Sequence, residues 1–238
     1  MKRLERTFVT GCDKHTEWQL KWFLANFRKH NPISSIVFCD FGVSDEMLKW
    51  AEKNFDEIVY NNRFEREILK TIDCPRWVLK PFAMLEVDAH KKVWIDTDCE
   101  VLGNISGIFA HLVDGRITLA QDLPWSSRRR EVWHNTGVFG VIGNPNVLHE
   151  WVHQCRMMAV PYSMGNVPIG DQDALHALAG QDPMHRMIYI NDLPNIYNWL
   201  RIQLLDGQDS PKKLIMHWTG QKGNDEIRKK INWANKYT

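Results

Sequence analysis

The stretch KVWIDTDCEV, Lys92 to Val101, decides the fold. Val93, Trp94 and Ile95 form a short apolar run of strand character that stops at Asp96-Thr97-Asp98. In extended backbone, residues i and i+2 point the same way, so both carboxylates fall on one spot at the strand's end. Close carboxylates in an apolar setting repel each other and lose water, so they need a proton or a cation between them. A hard divalent ion held by one or two carboxylates completes its shell with phosphate oxygens, which points to a phosphate-bearing ligand.

Upstream, strand and helix signals alternate. Thr7 to Thr10 is β-prone and breaks at Gly11-Cys12-Asp13. A helix follows, with Thr16 and Gln19 at capping-box spacing, an apolar stripe of Trp18, Trp22, Phe23 and Phe27, and Pro32 beyond its end. Ser35 to Cys39 is a second strand, and Ser44 caps a helix with Asp45 and Glu46 in its first turn. Ile58 to Tyr60 reads as a strand and Val78 to Ala89 as a helix, with Pro81 near its start. The βαβα order predicts an α/β fold whose mostly parallel sheet carries helices on both faces. Ligands of such sheets bind at the carboxyl ends of the strands, where Asp13, Asp40 and Asp96 all fall. Turn formation explains Asp40; the Asp96/Asp98 pair is too costly without a ligand.

The 238 residues are 44% hydrophobic with a formal charge of +1, which suits one domain, 1–238, with a full core. Near-neutral charge argues against a general nucleic-acid or membrane-surface binder. Cys12, Cys39, Cys74, Cys99 and Cys155 are odd in number, far apart and without C-x-x-C, which reads as reduced thiols in a cytoplasmic setting. The N-terminal residues lack a signal-peptide core, and no stretch is apolar enough to span a bilayer; peripheral contact with a membrane is left open.

Downstream, Ser106 to Leu112 reads as a short helix and Ile117 to Ala120 as a strand. Arg128, Arg129 and Arg130 read as a solvated loop, with an anion grip as the alternative. WHNTGVFGV, Trp133 to Val141, is β-prone; Gly137 permits close backbone approach, and the Asn135 amide suits a hydroxyl-rich ligand. Asn146 to Met158 is an amphipathic helix, and PYSMGNVPIG leads to Asp171-Gln172-Asp173 at another helix start. Capping explains Asp171, while Gln172 is a polar amide free to face a pocket. Lys213 to Met216 is a late strand ending in MHWTGQKG. His217 is either structural or a third metal ligand that shifts the preference from magnesium toward manganese, and Gly220 with Lys222 forms a cationic turn suited to phosphate. Asp225 to Tyr237 closes the chain as a helix, with Ile227, Ile231 and Trp233 on the sheet.

Taken in order, these segments resemble the nucleotide-sugar-dependent glycosyltransferases of the GT-A fold, closest to family 8. WIDTDCEVLGNI resembles its D-x-D strand, WHNTGVFGV its aromatic-x-N-[ST/A]-G-V segment, DQDAL its D-Q-D-x-L helix start and MHWTGQKG its H-x-x-G-x-x-K end. The opening strand, its helix and DFGVSDE resemble the nucleotide-binding half. The resemblance implies a GT-A, Rossmann-like mixed sheet with a nucleotide-binding half over about 1–100 and an acceptor and catalytic half over about 101–238. It implies Asp96, Asp98 and His217 as ligands of Mn2+ (or Mg2+), and Asn135 at the donor sugar. Gln172, with Asp171 beside it, would lie near the anomeric carbon, while Gly220 and Lys222 would meet the diphosphate. Lys80 would face the donor, and Asp13 its base or ribose.

The activity so implied is metal-dependent transfer of a hexosyl group, with retention, from a UDP-sugar to a carbohydrate, lipid-linked glycan or protein acceptor. Two alternatives are a non-catalytic nucleotide-sugar-binding module and a haloacid-dehalogenase-like phosphatase, whose nucleophilic Asp also sits in D-x-D. In the latter the motif lies near the N-terminus and continues to Thr or Val, where this chain has Glu100 at mid-chain.

Overall fold

The structure, a computed structural model, describes residues 4–61, 76–163, 170–180 and 182–234. Cys74, residues 164–169 of the PYSMGNVPIG segment and the side chain of Trp233 lie outside what is described.

Seven strands form one mixed sheet. β1 (Leu4–Cys12), β2 (Ile36–Asp40) and β3 (Glu57–Val59) run parallel in the order β3-β2-β1, and β4 (Ala89–Ile95) joins the free side of β1, also parallel. Beyond β4 the direction reverses: β7 (His134–Ile142) pairs antiparallel to β4, β6 (Ile117–Gln121) antiparallel to β7, and β8 (Ile190–Asp192) parallel to β6. Because β1 connects outward to β2 but is flanked inward by β4, the order switches between them. A crevice at such a switch point is where open α/β sheets bind ligands.

β4 starts at Ala89, earlier than the residue pattern indicates, because the preceding helix is short. A 3₁₀ turn over Arg76–Leu79 leads into the helix Lys80–Glu86. The end of that helix is held by Lys92 of β4, buried, whose ammonium donates to the Met84 and Val87 carbonyls. A cation there satisfies carbonyls that a helix C-terminus leaves unpaired.

Alternation along β4 divides the core. Val93 and Ile95 join Phe8, Phe23, Phe27 and Phe109 on one face, under the helix Leu20–His30. Trp94 joins Phe139, Leu148 and Trp151 on the other, under the helices Lys80–Glu86 and Asn146–Ser163. Helices therefore cover both faces, as the strand–helix alternation predicts.

A second, three-stranded sheet was not foreseen. β5 (Cys99–Val101) pairs antiparallel with β10 (Ile215–His217), which pairs parallel with β9 (Trp199–Leu200). The register sets His217 opposite Cys99, and the Trp218 N–H continues the ladder to the Asp98 carbonyl at 3.0 Å. Backbone pairing thus delivers the late imidazole to the tip of β4.

Three local readings are corrected. The Thr16/Gln19 capping box is not made: Thr16 offers no cap, because Asp13 Oδ1 takes the His15 and Thr16 N–H groups and the Thr16 hydroxyl instead. Arg128 and Arg129 end a short helix, Leu123–Arg129, capped by Asp122 Oδ1 on the Trp125 N–H, and Arg130 terminates it in the left-handed region at φ 59°. The closing helix begins at Gly220 rather than Asp225 and runs to Ala234.

Candidate active site

At the carboxyl ends of β1, β2 and β4 opens a cavity of about 840 Å³. Its lining includes Asp13, Lys80, Asp96, Asp98, Asn135, Asp171, Gln172, His217 and Gly220, so nine of the ten residues singled out from sequence meet there. Lys222 does not line it. Helical geometry presents Gly220 and Asn224, four residues apart, to the cavity, and Lys222 between them is turned to solvent. Asp40 behaves as a turn residue, its Oδ1 accepting from the Gly42 and Val43 N–H groups at 2.8 and 2.9 Å.

The two acids of the D-T-D turn have different partners. Asp96 is clamped on both oxygens, Oδ2 by the Lys80 ammonium at 2.9 Å and Oδ1 by the Trp94 indole N–H at 2.6 Å. Lys80 also lies 3.1 Å from Asp171 Oδ2. Burial works against the Lys80 charge, yet Asp171 and then Asp96 outweigh it and hold the pKa above the ordinary lysine range. Burial, with the Asp98 charge added, holds the Asp96 carboxyl above its usual range despite Lys80. Three carboxylates here face one ammonium and one imidazole, so the cluster keeps negative charge that a cation would balance.

Asp98 is left open. Its Oδ1 is buried without a well-aligned hydrogen bond, although His217 Nε2 lies only 3.1 Å away. The reason is a chain of amides anchored on backbone. The Gly137 N–H donates to Asn135 Oδ1 at 3.0 Å, which fixes that amide. Asn198 Nδ2 donates to the same oxygen at 2.9 Å, leaving Asn198 Oδ1 as the acceptor for His217 Nδ1–H at 3.0 Å. With Nδ1–H so engaged, His217 Nε2 faces the Asp98 carboxylate. Burial disfavours the charged ring, yet the Asp98 charge outweighs it and raises the His217 pKa above the ordinary histidine range, so a proton or a cation belongs between the two groups.

The donor set fits a divalent ion on this observation. Ligands that are neighbours on an octahedral ion, each about 2.1 Å from it, stand roughly 3 Å apart. Among the described residues, Asp98, Cys99 and His217 offer ligand atoms within 4.8 Å of one another. Burial first, then the Asp98 charge, push the Cys99 thiol well up, so it stays protonated and, of the three, Asp98 and His217 are the groups that could hold an ion. Asp96 stands beside this pair but outside the cluster, with both oxygens engaged.

Room for the imidazole comes from Gly137. A β-carbon there would lie 2.0 Å from His217 Cε1. On the far side, Asn135 Nδ2 donates to Gln172 Oε1 at 3.2 Å and reaches Asp122 Oδ2 at 3.4 Å. With Oε1 so occupied, the Gln172 amide N–H groups are left for a ligand.

Several contributors escaped the sequence reading. Asn198, fully buried, has no motif around it. Gln19 accepts from the Thr97 hydroxyl at 2.8 Å and donates to Asn224 at 2.7 Å, joining the D-T-D turn to the first turn of the closing helix. Arg128, Arg129 and Arg130 are not among the cavity residues; Arg129 lies over the Trp125 and Trp133 rings.

No protein-family model and no curated protein sequence matches the chain. Solved structures do. The galactosyltransferase LgtC in complex with donor and acceptor sugar analogues superposes with a TM-score of 0.61 over 90% of this chain and 87% of its own, at 15% identity. An active-site mutant of LgtC gives 0.63 over 90% and 88%, also at 15% identity. The chain has the GT-A glycosyltransferase fold. The GT-A likeness extends to the glycosyltransferase GlyE of Streptococcus pneumoniae TIGR4, with a TM-score of 0.63 over 92% of this chain and 55% of GlyE, at 19% identity. No described helix is long and apolar enough to cross a membrane.

Proposed function

We propose that this GT-A chain moves a hexosyl group, with retention, from a UDP-sugar to an acceptor hydroxyl. The observation that carries the reading is the approach of His217 Nε2 to the buried Asp98 Oδ1, 3.1 Å apart within the cavity lining, with the Asn135–Gln172 pair in the same lining. Residues of about 1–100 serve the nucleotide and those of about 101–238 the sugar and acceptor, within one domain.

Asp98 and His217 would hold Mn2+ or Mg2+, with Asp96 as the neighbouring acid that joins if it releases Trp94 or Lys80. An ion held there would supply positive charge against the negative charge of a departing diphosphate. The chain's own groups do the rest. Lys80 holds the Asp96 and Asp171 carboxylates in place as acceptors for sugar hydroxyls. Asn135 and Gln172 converge on the sugar, and the Gln172 amide, a poor base and a poor nucleophile, orients and stabilises charge at the anomeric carbon. The Gly220 turn, at φ 72°, offers backbone N–H groups at the helix start.

Calorimetry with UDP, with and without manganese, followed by donor turnover, tests the reading. Manganese-dependent UDP binding that Asp98→Ala abolishes is expected. Metal-independent binding, or turnover unchanged in Asp98→Ala, defeats it. UDP binding with no turnover of any donor favours the non-catalytic module instead, and phosphate release from a simple ester the phosphatase.

A further inference from the structure

Large apolar side chains on the surface are ordinary taken singly, and eleven are exposed among the described residues. Ten of them lie away from the cavity. Of the eleven, Trp77 alone lines it, and the residue is 51% exposed. Its place along the cavity is defined. The indole Nε1 lies 3.6 Å from where a β-carbon on Gly170 would sit, and Gly170 is the residue before Asp171 and Gln172. One turn beyond Trp77, Lys80 grips Asp171 and Asp96. The indole therefore stands in the lining beside the start of the Asp171–Gln172 helix. Arg76, next to it, also lines the cavity.

We infer that Trp77 is the platform on which the accepting molecule rests, and that this molecule presents a hexopyranose ring. The inference rests on the proposed transferase reading and names the acceptor class for the same site. An indole left open at a polar cavity keeps an apolar face in water at a cost of hydrophobic free energy. A pyranose is the ligand whose two sides answer this arrangement. Its axial C–H groups cover the indole face, while its equatorial hydroxyls reach Arg76, Asp171 and the Gln172 amide. A ring so seated lies between solvent and the position of the donor's anomeric carbon, with a hydroxyl in reach of it. Transfer forms the new glycosidic C–O bond at that carbon, breaks its bond to the diphosphate oxygen, and passes the hydroxyl proton to the departing diphosphate.

Trp77→Ala and Trp77→Phe test this, with UDP-galactose and UDP-glucose as donors and the methyl glycosides of galactose and glucose as acceptors. Glycerol serves as the non-cyclic control. In the unaltered chain at least one methyl glycoside, and not glycerol, is expected to accelerate UDP release. Trp77→Ala raises the KM for that glycoside by roughly tenfold, and Trp77→Phe restores most of it. UDP binding with manganese and the slow loss of donor without acceptor stay within about twofold in both variants. The inference is overturned if no methyl glycoside accelerates release, if Trp77→Ala leaves the glycoside KM unchanged, or if it weakens UDP binding and donor loss as much as transfer. Failure of the unaltered chain to bind UDP with manganese is a different result: it removes the transferase reading itself.

Discussion

His217 and Gly137 are packed so closely that the imidazole occupies the space of a side chain at position 137: a β-carbon there would meet Cε1 at 2.0 Å and Nδ1 at 2.5 Å. Both residues are fixed by backbone pairing, His217 opposite Cys99 and the Gly137 carbonyl on the Asp96 N–H at 2.8 Å, so neither can move away cheaply.

Gly137→Ala is therefore expected to displace the ring and weaken manganese binding by at least about tenfold. Calorimetric titration of the variant with manganese in the presence of UDP reads this directly. An affinity equal to that of the unaltered chain would mean that the ring can shift without consequence.

Asn198 holds His217 by Nδ1 and transmits the orientation set by the Gly137 N–H. Removing a partner that fixes a ligand's tautomer costs roughly 10–100-fold in metal affinity. Asn198→Ala should show that loss, and its His217 ring should lose the single Nδ1–H tautomer. Nitrogen-resolved NMR of the imidazole distinguishes this from a general loss of stability.

Lys80→Met leaves the half-buried Asp96 and the buried Asp171 carboxylates without their counter-charge. Breaking a buried pair on one side typically costs about 3–5 kcal/mol. Urea unfolding should show a loss of that order. A loss below about 1 kcal/mol would mean that water already screens the pair.

His176 supplies a pH dependence. It stacks on Trp133 at a centroid distance of 3.6 Å with both ring nitrogens buried and without hydrogen bonds. Burial lowers its pKa, opposed by Glu131 and Asp173 and assisted by His134. A folded-state value below the unfolded one favours the neutral ring, so its contribution is complete above about pH 6.5 and is lost as pH falls through the folded-state value. His176→Phe should flatten the acid side of the melting-temperature profile below about pH 6.5. An unchanged profile would assign the acid sensitivity to other groups.

The centre of the fold is legible because β4 couples an apolar run to two acids, a pattern with few structural uses. Asn135 is legible near Gly137, His217 at a strand end, and Gln172 as a polar amide at a helix start that capping does not explain. GQKG reads as a loop around Lys222, whereas the closing helix already begins at Gly220 and turns the lysine to solvent. Thr16 and Gln19 have capping-box spacing, yet Asp13 caps that turn and Gln19 is buried against Thr97. Asn198 and the β5-β10-β9 sheet depend on contacts between distant segments, for which no local pattern exists. Trp77 carries no motif, and its exposure is a property of the folded cavity rim.

The small sheet also has a consequence in time. The seven strands of the main sheet are complete once Asp192 has been made, whereas β10 comes later, at Ile215–His217. In order of synthesis Asp98 therefore precedes its imidazole partner by the whole stretch between the D-T-D turn and β10. Under the proposed reading, metal-dependent UDP affinity then gauges whether β10 is in place, since a molecule without it lacks His217 opposite Asp98.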